Sequence, residues 1–243
     1  MRFLALVALL GALSIGPARA QPANAFRVLA FTRTMGFRHD SIPDAVEAIT
    51  RLGAEHGFSV DTTEDPSVFN DAQLPAYAAV IFLLTTGDVL DDPQQAAFER
   101  YIEGGGGFVG VHSATDTEYD WPWYGALLGT YFADHPPGTY QATVRIEVAD
   151  DPSTRDLPNP WRRTDEWYNF RSNPRATPDI VVLASLDEST YAGGTMGDHP
   201  IAWQHGFDGG RAWYTAGGHT RESYHDALFV SHLLGGIMYA AGA

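Results

Sequence analysis

Short, uninterrupted apolar runs alternate with segments of helical period through the first half of the chain. FRVLAF (26–31) is one such run, long enough for a buried strand. Ser41-Ile42-Pro43 then opens a helix, with Ser as its cap and Pro in its first turn. Ile42, Val46, Ile49 and Leu52 recur at helical spacing, and Gly57 stands where a left-handed stop is wanted. FSVDTT (58–63) reads as a second strand. AAVIFLL (78–84) reads as a third, and its apolar character on both faces implies a central parallel position. A helix over 93–103 ends at the Gly104–Gly107 run, and FVGVH (108–112) is a fourth strand. This rhythm predicts a doubly wound α/β sheet whose ligands sit at the carboxyl ends of the strands.

The second half is less regular. TYQATVRIEV (139–148) alternates, as an antiparallel strand with one wet face does. Segments 179–186, 200–207 and 211–216 are further strands, and DDPSTRDLPNP (150–160) is a loop on composition. Ser223 and Asp226 look like a capping-box start for a last helix running to about Tyr239. No internal repeat or long linker interrupts the pattern, so residues 21–243 read as a single domain.

The first twenty residues, MRFLALVALLGALSIGPARA, differ in kind. A basic start, a short apolar run and a small-x-small end read as a signal peptide over 1–20, with export to the periplasm. The run is too short for a stable membrane span, which needs about 20 residues. The chain has 243 residues and no cysteine, which excludes a disulfide scaffold, a thiolate metal site and a cysteine nucleophile. All its basic residues are Arg, so lysine chemistry is excluded as well. A net charge of −15 argues against nucleic acid or an anionic membrane as partner. Nothing in these patterns speaks to the oligomeric state.

Nine histidines remain as the candidate chemistry. His39 follows the first strand, His112 ends the fourth and His219 follows the last. In a parallel sheet these three ends share one rim, so at least two of the imidazoles are expected within about 4–8 Å of one another. Imidazole and carboxylate are the ligands left for zinc or a similar divalent ion when thiolate is absent. His135 and His199 precede prolines in loops and serve either the site or a turn. His56, His205, His225 and His232 read as surface or core-edge residues.

TDEWYNF (164–170) places Asp165 and Glu166 beside Trp167, Tyr168 and Phe170, a pattern that suits a sugar platform with a carboxylate as ligand or base. Neighbouring residues of a strand face opposite ways, so only one of the two acids is expected in a given site. For the same reason a two-carboxylate glycosidase is the weaker reading. The aromatic stretch 119–132 lines the same crevice or packs a helix onto the sheet. The Gly104–Gly107 run precedes its strand, so no nucleotide cofactor is expected.

Taken together, RVLAFTRTMGFRHDSIPDAVEAI, GGGGFVGVHSATD, WYGALLGTYFADH, DEWYNF, HPIAW and GRAWYTAGGH resemble the ThuA-like (trehalose-utilisation) family over almost the whole chain after residue 20. The resemblance implies a flavodoxin-like α/β sandwich of the class I glutamine amidotransferase type, with a mainly parallel central sheet and an additional β-rich second half. In those amidotransferases the turn after the central strand carries a nucleophilic Cys. His112 and Ser113 stand there in this chain, so that reaction does not carry over. The family name points to disaccharide breakdown and to a small-molecule sugar substrate, a 3-keto-glycoside or a related sugar. Abstraction of the C2 proton and loss of the C1 oxygen would need a base, an electrophile and a sugar platform. The expected assignments are a divalent ion on His39, His112 and His219, with His112, Glu166, Asp165 and Arg211 serving the chemistry. His135, Trp167, Tyr168, His199 and Arg38 are expected to hold the sugar. The competing expectation is a carbohydrate-binding module that kept the fold and lost the chemistry.

Overall fold

The computed structural model describes residues 26–243, and the leader expected over 1–20 lies outside them. The strands are β1 (Arg27–Phe31), β2 (Ser59–Thr63), β3 (Ala79–Leu83), β4 (Gly107–Val111), β5 (Phe132–Asp134), β6 (Tyr140–Ile146), β7 (Trp161–Asp165), β8 (Asn169–Phe170), β9 (Val181–Asp187), β10 (His199–Phe207) and β11 (Gly210–Thr215). The helices are α1 (Ile42–His56), α2 (Asp92–Glu103), α3 (Pro122–Leu128) and α4 (Ala227–Ala241).

Nine strands form one sheet in the order β2-β1-β3-β4-β11-β10-β9-β6-β7. The five from β2 to β11 are mutually parallel. Their order is the flavodoxin-like one, with β11 as its fifth strand. Residues of β3 and β4 are buried throughout, as their all-apolar sequences require between two helical layers. Beyond β11 the pairing turns antiparallel and continues to β7. Exposure alternates along β6 and β7 there, so one face is wet. The β-rich second half therefore extends the parallel sheet.

The helices obey local rules. Gly57 ends α1 at φ 80, and its N–H donates to the Gly53 carbonyl. Asp91 and Gln94 form a capping box on α2. One start differs from expectation. Ser223 lies in a 3-10 turn (Arg221–His225) capped by Thr220, and Asp226 alone caps α4 by accepting from Leu228 N. Ser41 flanks α1 without a side-chain capping bond; its hydroxyl reaches the Gly218 carbonyl at 3.5 Å. The aromatic stretch 119–132 is mostly packing. Trp121 and Tyr124 join Phe82, Phe98 and Phe108 in one buried aromatic cluster. Among the described residues no helix is long and apolar enough to cross a membrane.

Candidate metal centre

All five parallel strands point their carboxyl ends to one rim, and three histidines leave from that rim. His112 is the first residue beyond β4 and takes a left-handed backbone, φ 52. A bulky residue there stores strain that its surroundings must hold. They do so at two points: its carbonyl accepts the Tyr214 hydroxyl at 2.8 Å, and its ring Nδ1 donates to the Ala216 carbonyl at 2.8 Å. With Nδ1 engaged there, Nε2 is the ring nitrogen turned to the rim.

His39 comes from the loop after β1 and is buried, its Nδ1 3.5 Å from Ser113 Oγ. His219 follows β11 in the Gly217-Gly218 turn. Its Nδ1 lies 3.3 Å from His112 Nε2. The ring centroids of His39, His112 and His219 are 4.9, 5.1 and 5.2 Å apart, pair by pair. The convergence expected from strand order is met.

Glu166 completes the group. Its Oε2 is 3.1 Å from His219 Nδ1 and 3.5 Å from His112 Nε2. One ligand-type atom from each of His39, His112, His219 and Glu166 lies within 4.8 Å of every other. Burial and the neighbouring imidazoles of His112 and His219 push His39 down to about 2, so its ring is neutral. Burial pushes Glu166 up, but hydrogen bonds and charge from His112 and His219 outweigh it and hold the carboxyl below the usual range. Burial pulls His219 down, and Glu166 more than reverses this. Three imidazoles and a carboxylate converging on one point are the donor set that zinc and similar ions take. His219 Nδ1, His112 Nε2 and Glu166 Oε2 stand 3.1, 3.3 and 3.5 Å apart, pair by pair, around a point where a cation fits.

His135 stands at the open side. Its Nδ1 is 3.2 Å from Glu166 Oε1 and 3.0 Å from the Pro136 carbonyl, and its side chain is 34 % exposed. Tyr168 backs the cluster, its ring 4.2 Å from that of His112.

Several expected site residues go elsewhere. Asp165, the last residue of β7, is not among the grouped ligand atoms, which Glu166 joins from just beyond the strand. It accepts backbone N–H groups from Glu166, Gly218 and His219 at 3.0, 2.9 and 3.0 Å, and it pairs with Arg163. Arg211, the second residue of β11, pairs with Gly107 at the amino-end rim and donates to the Tyr239 and Ala240 carbonyls. It lines a separate cavity of about 730 Å³ there. Arg38 is exposed and tied to Glu64 at 2.7 Å. Trp167 is fully buried, with Nε1 donating to the Tyr140 carbonyl, and Tyr168 is only 3 % exposed. Neither is an open platform. His199 is buried between Glu188 and the Tyr168 carbonyl. Of the others, His232 and His205 are core residues, while His56 and His225 lie at the surface. Two supports carried no sequence signal: Arg163, paired with Asp165, and Thr86, which pins the His39 loop.

The whole chain can be set beside known proteins. No curated protein matches it. Among solved structures, a ThuA-like protein from Bacteroides uniformis ATCC 8492 is 26% identical over 93% of this chain and 95% of its own, with a TM-score of 0.76. A ThuA-like protein from Parabacteroides merdae ATCC 43184 is 20% identical over 89% and 90%, with a TM-score of 0.65. A β-galactosidase from Bacillus circulans sp. alkalophilus shares the fold over 91% of this chain and 32% of its own, at 14% identity and a TM-score of 0.58. The family profile described as ThuA, trehalose utilisation, matches residues 27–240, and the chain therefore belongs to the ThuA family.

Proposed function

We propose that the protein is an exported carbohydrate-active enzyme, led out by residues 1–20, whose unit 21–243 acts on 3-keto-glycosides or related sugars at the His39–His112–His219–Glu166 centre. One observation carries the reading: four ligand-type groups, far apart in sequence, meet within 4.8 Å at the rim where this architecture binds ligands. The family description, trehalose utilisation, supports a sugar as substrate.

A divalent ion on those four residues would supply positive charge to a sugar C3 oxygen as the C2 proton leaves. The chain's own contribution is proton transfer. Glu166 and the Pro136 carbonyl engage His135 Nδ1, which leaves Nε2 as the free nitrogen on the exposed side. His135 Nε2 takes the C2 proton, the C–H pair becomes the C1–C2 double bond, and the C1–O bond breaks. The departing oxygen recovers the proton from the imidazolium. The products are an unsaturated 3-keto sugar and a free alcohol. Asp165 takes no part in this transfer; it fixes the backbone of the turn that carries His219.

Elemental analysis of purified protein, with turnover of methyl 3-keto-α-glucoside before and after chelation, tests the reading. Expected results are one divalent ion per chain, loss of turnover on chelation and recovery on adding zinc, manganese or cobalt. H112A should lose both metal and turnover, and H135A should lose turnover while keeping metal. Sugar binding with no metal and no turnover would favour the non-catalytic module.

A further inference from the structure

Phe37 is held out into solvent beside the metal-type cluster. It is 63 % exposed, and among the described residues the other large exposed apolar side chains are Met35 and Val181. Two of these three therefore stand on the loop that carries His39. The Phe37 ring meets the His39 ring edge to face, with centroids 4.8 Å apart and planes at 80°.

The loop does not present this ring by default. Thr86, beyond the end of β3, accepts from Met35 N at 2.7 Å through its carbonyl and from Gly36 N at 3.2 Å through its hydroxyl. The same hydroxyl donates to the Phe37 carbonyl at 2.8 Å. Gly87 at φ 74 allows the close approach, since a Cβ there would lie 3.0 Å from Gly36 N. The backbone on both sides of the ring is thus tied down while the ring stays in water, an arrangement that forgoes the free energy of burying the ring until a ligand covers it.

We propose that Phe37, flanked by Met35, is the platform on which the C–H face of a neutral pyranoside ring stacks while the sugar's oxygens reach the cluster next to His39. The proposal rests on the carbohydrate reading above and adds the substrate face that the chain recognises. A phenyl face carries partial negative charge and attracts the polarised C–H bonds of a sugar. Trp167 and Tyr168 are buried and cannot do this. Neutrality follows from charge: Arg38, next to Phe37, is taken by Glu64, and the chain carries a net −15.

Saturation-transfer NMR with trehalose and methyl 3-keto-α-glucoside, on metal-free and zinc-loaded protein, tests the assignment with F37A, F37W and M35A. Wild-type protein should saturate the C–H protons of one ring face most strongly. F37A should bind these sugars about tenfold more weakly, F37W should restore binding, and zinc affinity should not follow the same order. F37A binding as tightly as wild type overturns the platform. So does unchanged sugar binding with a dimer lost in light scattering, which would assign the ring to self-association. If wild-type protein binds neither sugar in either state, the carbohydrate reading itself fails and the platform goes with it.

Discussion

The Asp165 carboxylate accepts the backbone N–H of His219 at 3.0 Å, and through it a buried charge sets the position of a residue in the cluster. The same carboxylate takes Gly218 N and Glu166 N, so one side chain joins the two segments that supply His219 and Glu166. Its counter-charge is Arg163, whose guanidinium lies over the rings of Trp161 and Phe229 at 4.7 and 4.3 Å. Among the described residues Arg163 Nε and Nη1 have no hydrogen-bond partner, so Arg163 depends on Asp165, on Ser223 Oγ at 2.8 Å and on those aromatic faces. D165A should cost about 3–5 kcal/mol of stability, because it leaves a buried charge unpaired. It should also weaken zinc binding about 10–100-fold. The double variant R163M/D165N separates the two effects: urea midpoints should recover while zinc titration should not.

Close packing of α4 on β11 leads to a second expectation, independent of the site. A Cβ on Gly236 would lie 2.3 Å from the Trp213 ring, and one on Gly235 2.3 Å from the Ser153 backbone. Alanine favours a helix over glycine by about 1 kcal/mol, so an open position would gain from the change. Here the overlap decides the sign. G236A should destabilise the fold by about 1–3 kcal/mol. A rise in the urea midpoint would show that α4 has room to move off the sheet.

His232 makes stability depend on pH. It is fully buried, with Nδ1 on the Ser153 carbonyl and Nε2 on Thr215 Oγ1, and burial pulls it down from 6.5 to about 4. The unfolded chain therefore binds this proton first as pH falls. The contribution is complete above pH 6.5 and is lost as pH drops towards 4. At about 1.4 kcal/mol per unit, the loss is roughly 3 kcal/mol. H232N keeps a side-chain amide donor but cannot titrate. Urea unfolding at pH 7 and pH 4 should give wild type a fall about 3 kcal/mol larger than that of H232N. Equal falls would mean that the ring charges without leaving its site.

How much of this was legible beforehand depends on what each residue's place was tied to. His39, His112 and His219 could be placed because parallel strands bring their carboxyl ends to one rim whatever the loops do. Glu166 and Asp165 could be separated, though not ordered, because strand parity forces neighbours apart. Arg211 went wrong at the level of position within a strand: it is the second residue of β11, so it belongs to the other rim. Trp167 and Tyr168 went wrong because composition does not say which side of a segment packs. Trp167 Nε1 finds the Tyr140 carbonyl of β6, while the Tyr168 ring is packed between those of His112 and Phe132. Phe37 passed unnoticed for the converse reason, since only the tie to Thr86 shows that its exposure is held.

The cluster should bind its ion more tightly in the folded chain than in the unfolded one, because only folding brings the four ligand groups together. His39 must be neutral to coordinate, and burial already makes it so. His112 must present Nε2, and the Ala216 carbonyl fixes that tautomer. Little reorganisation then opposes binding, and the coupling appears as thermal stability. Zinc at one hundred times its Kd should add about 2.7 kcal/mol. For a chain of this length, each kcal/mol moves Tm by about 2–4 °C, so the expected rise is roughly 5–10 °C. Calorimetry of chelated protein with and without added zinc measures it, and H39A and E166Q should each remove most of the rise. A shift that persists in both variants would place the ion elsewhere.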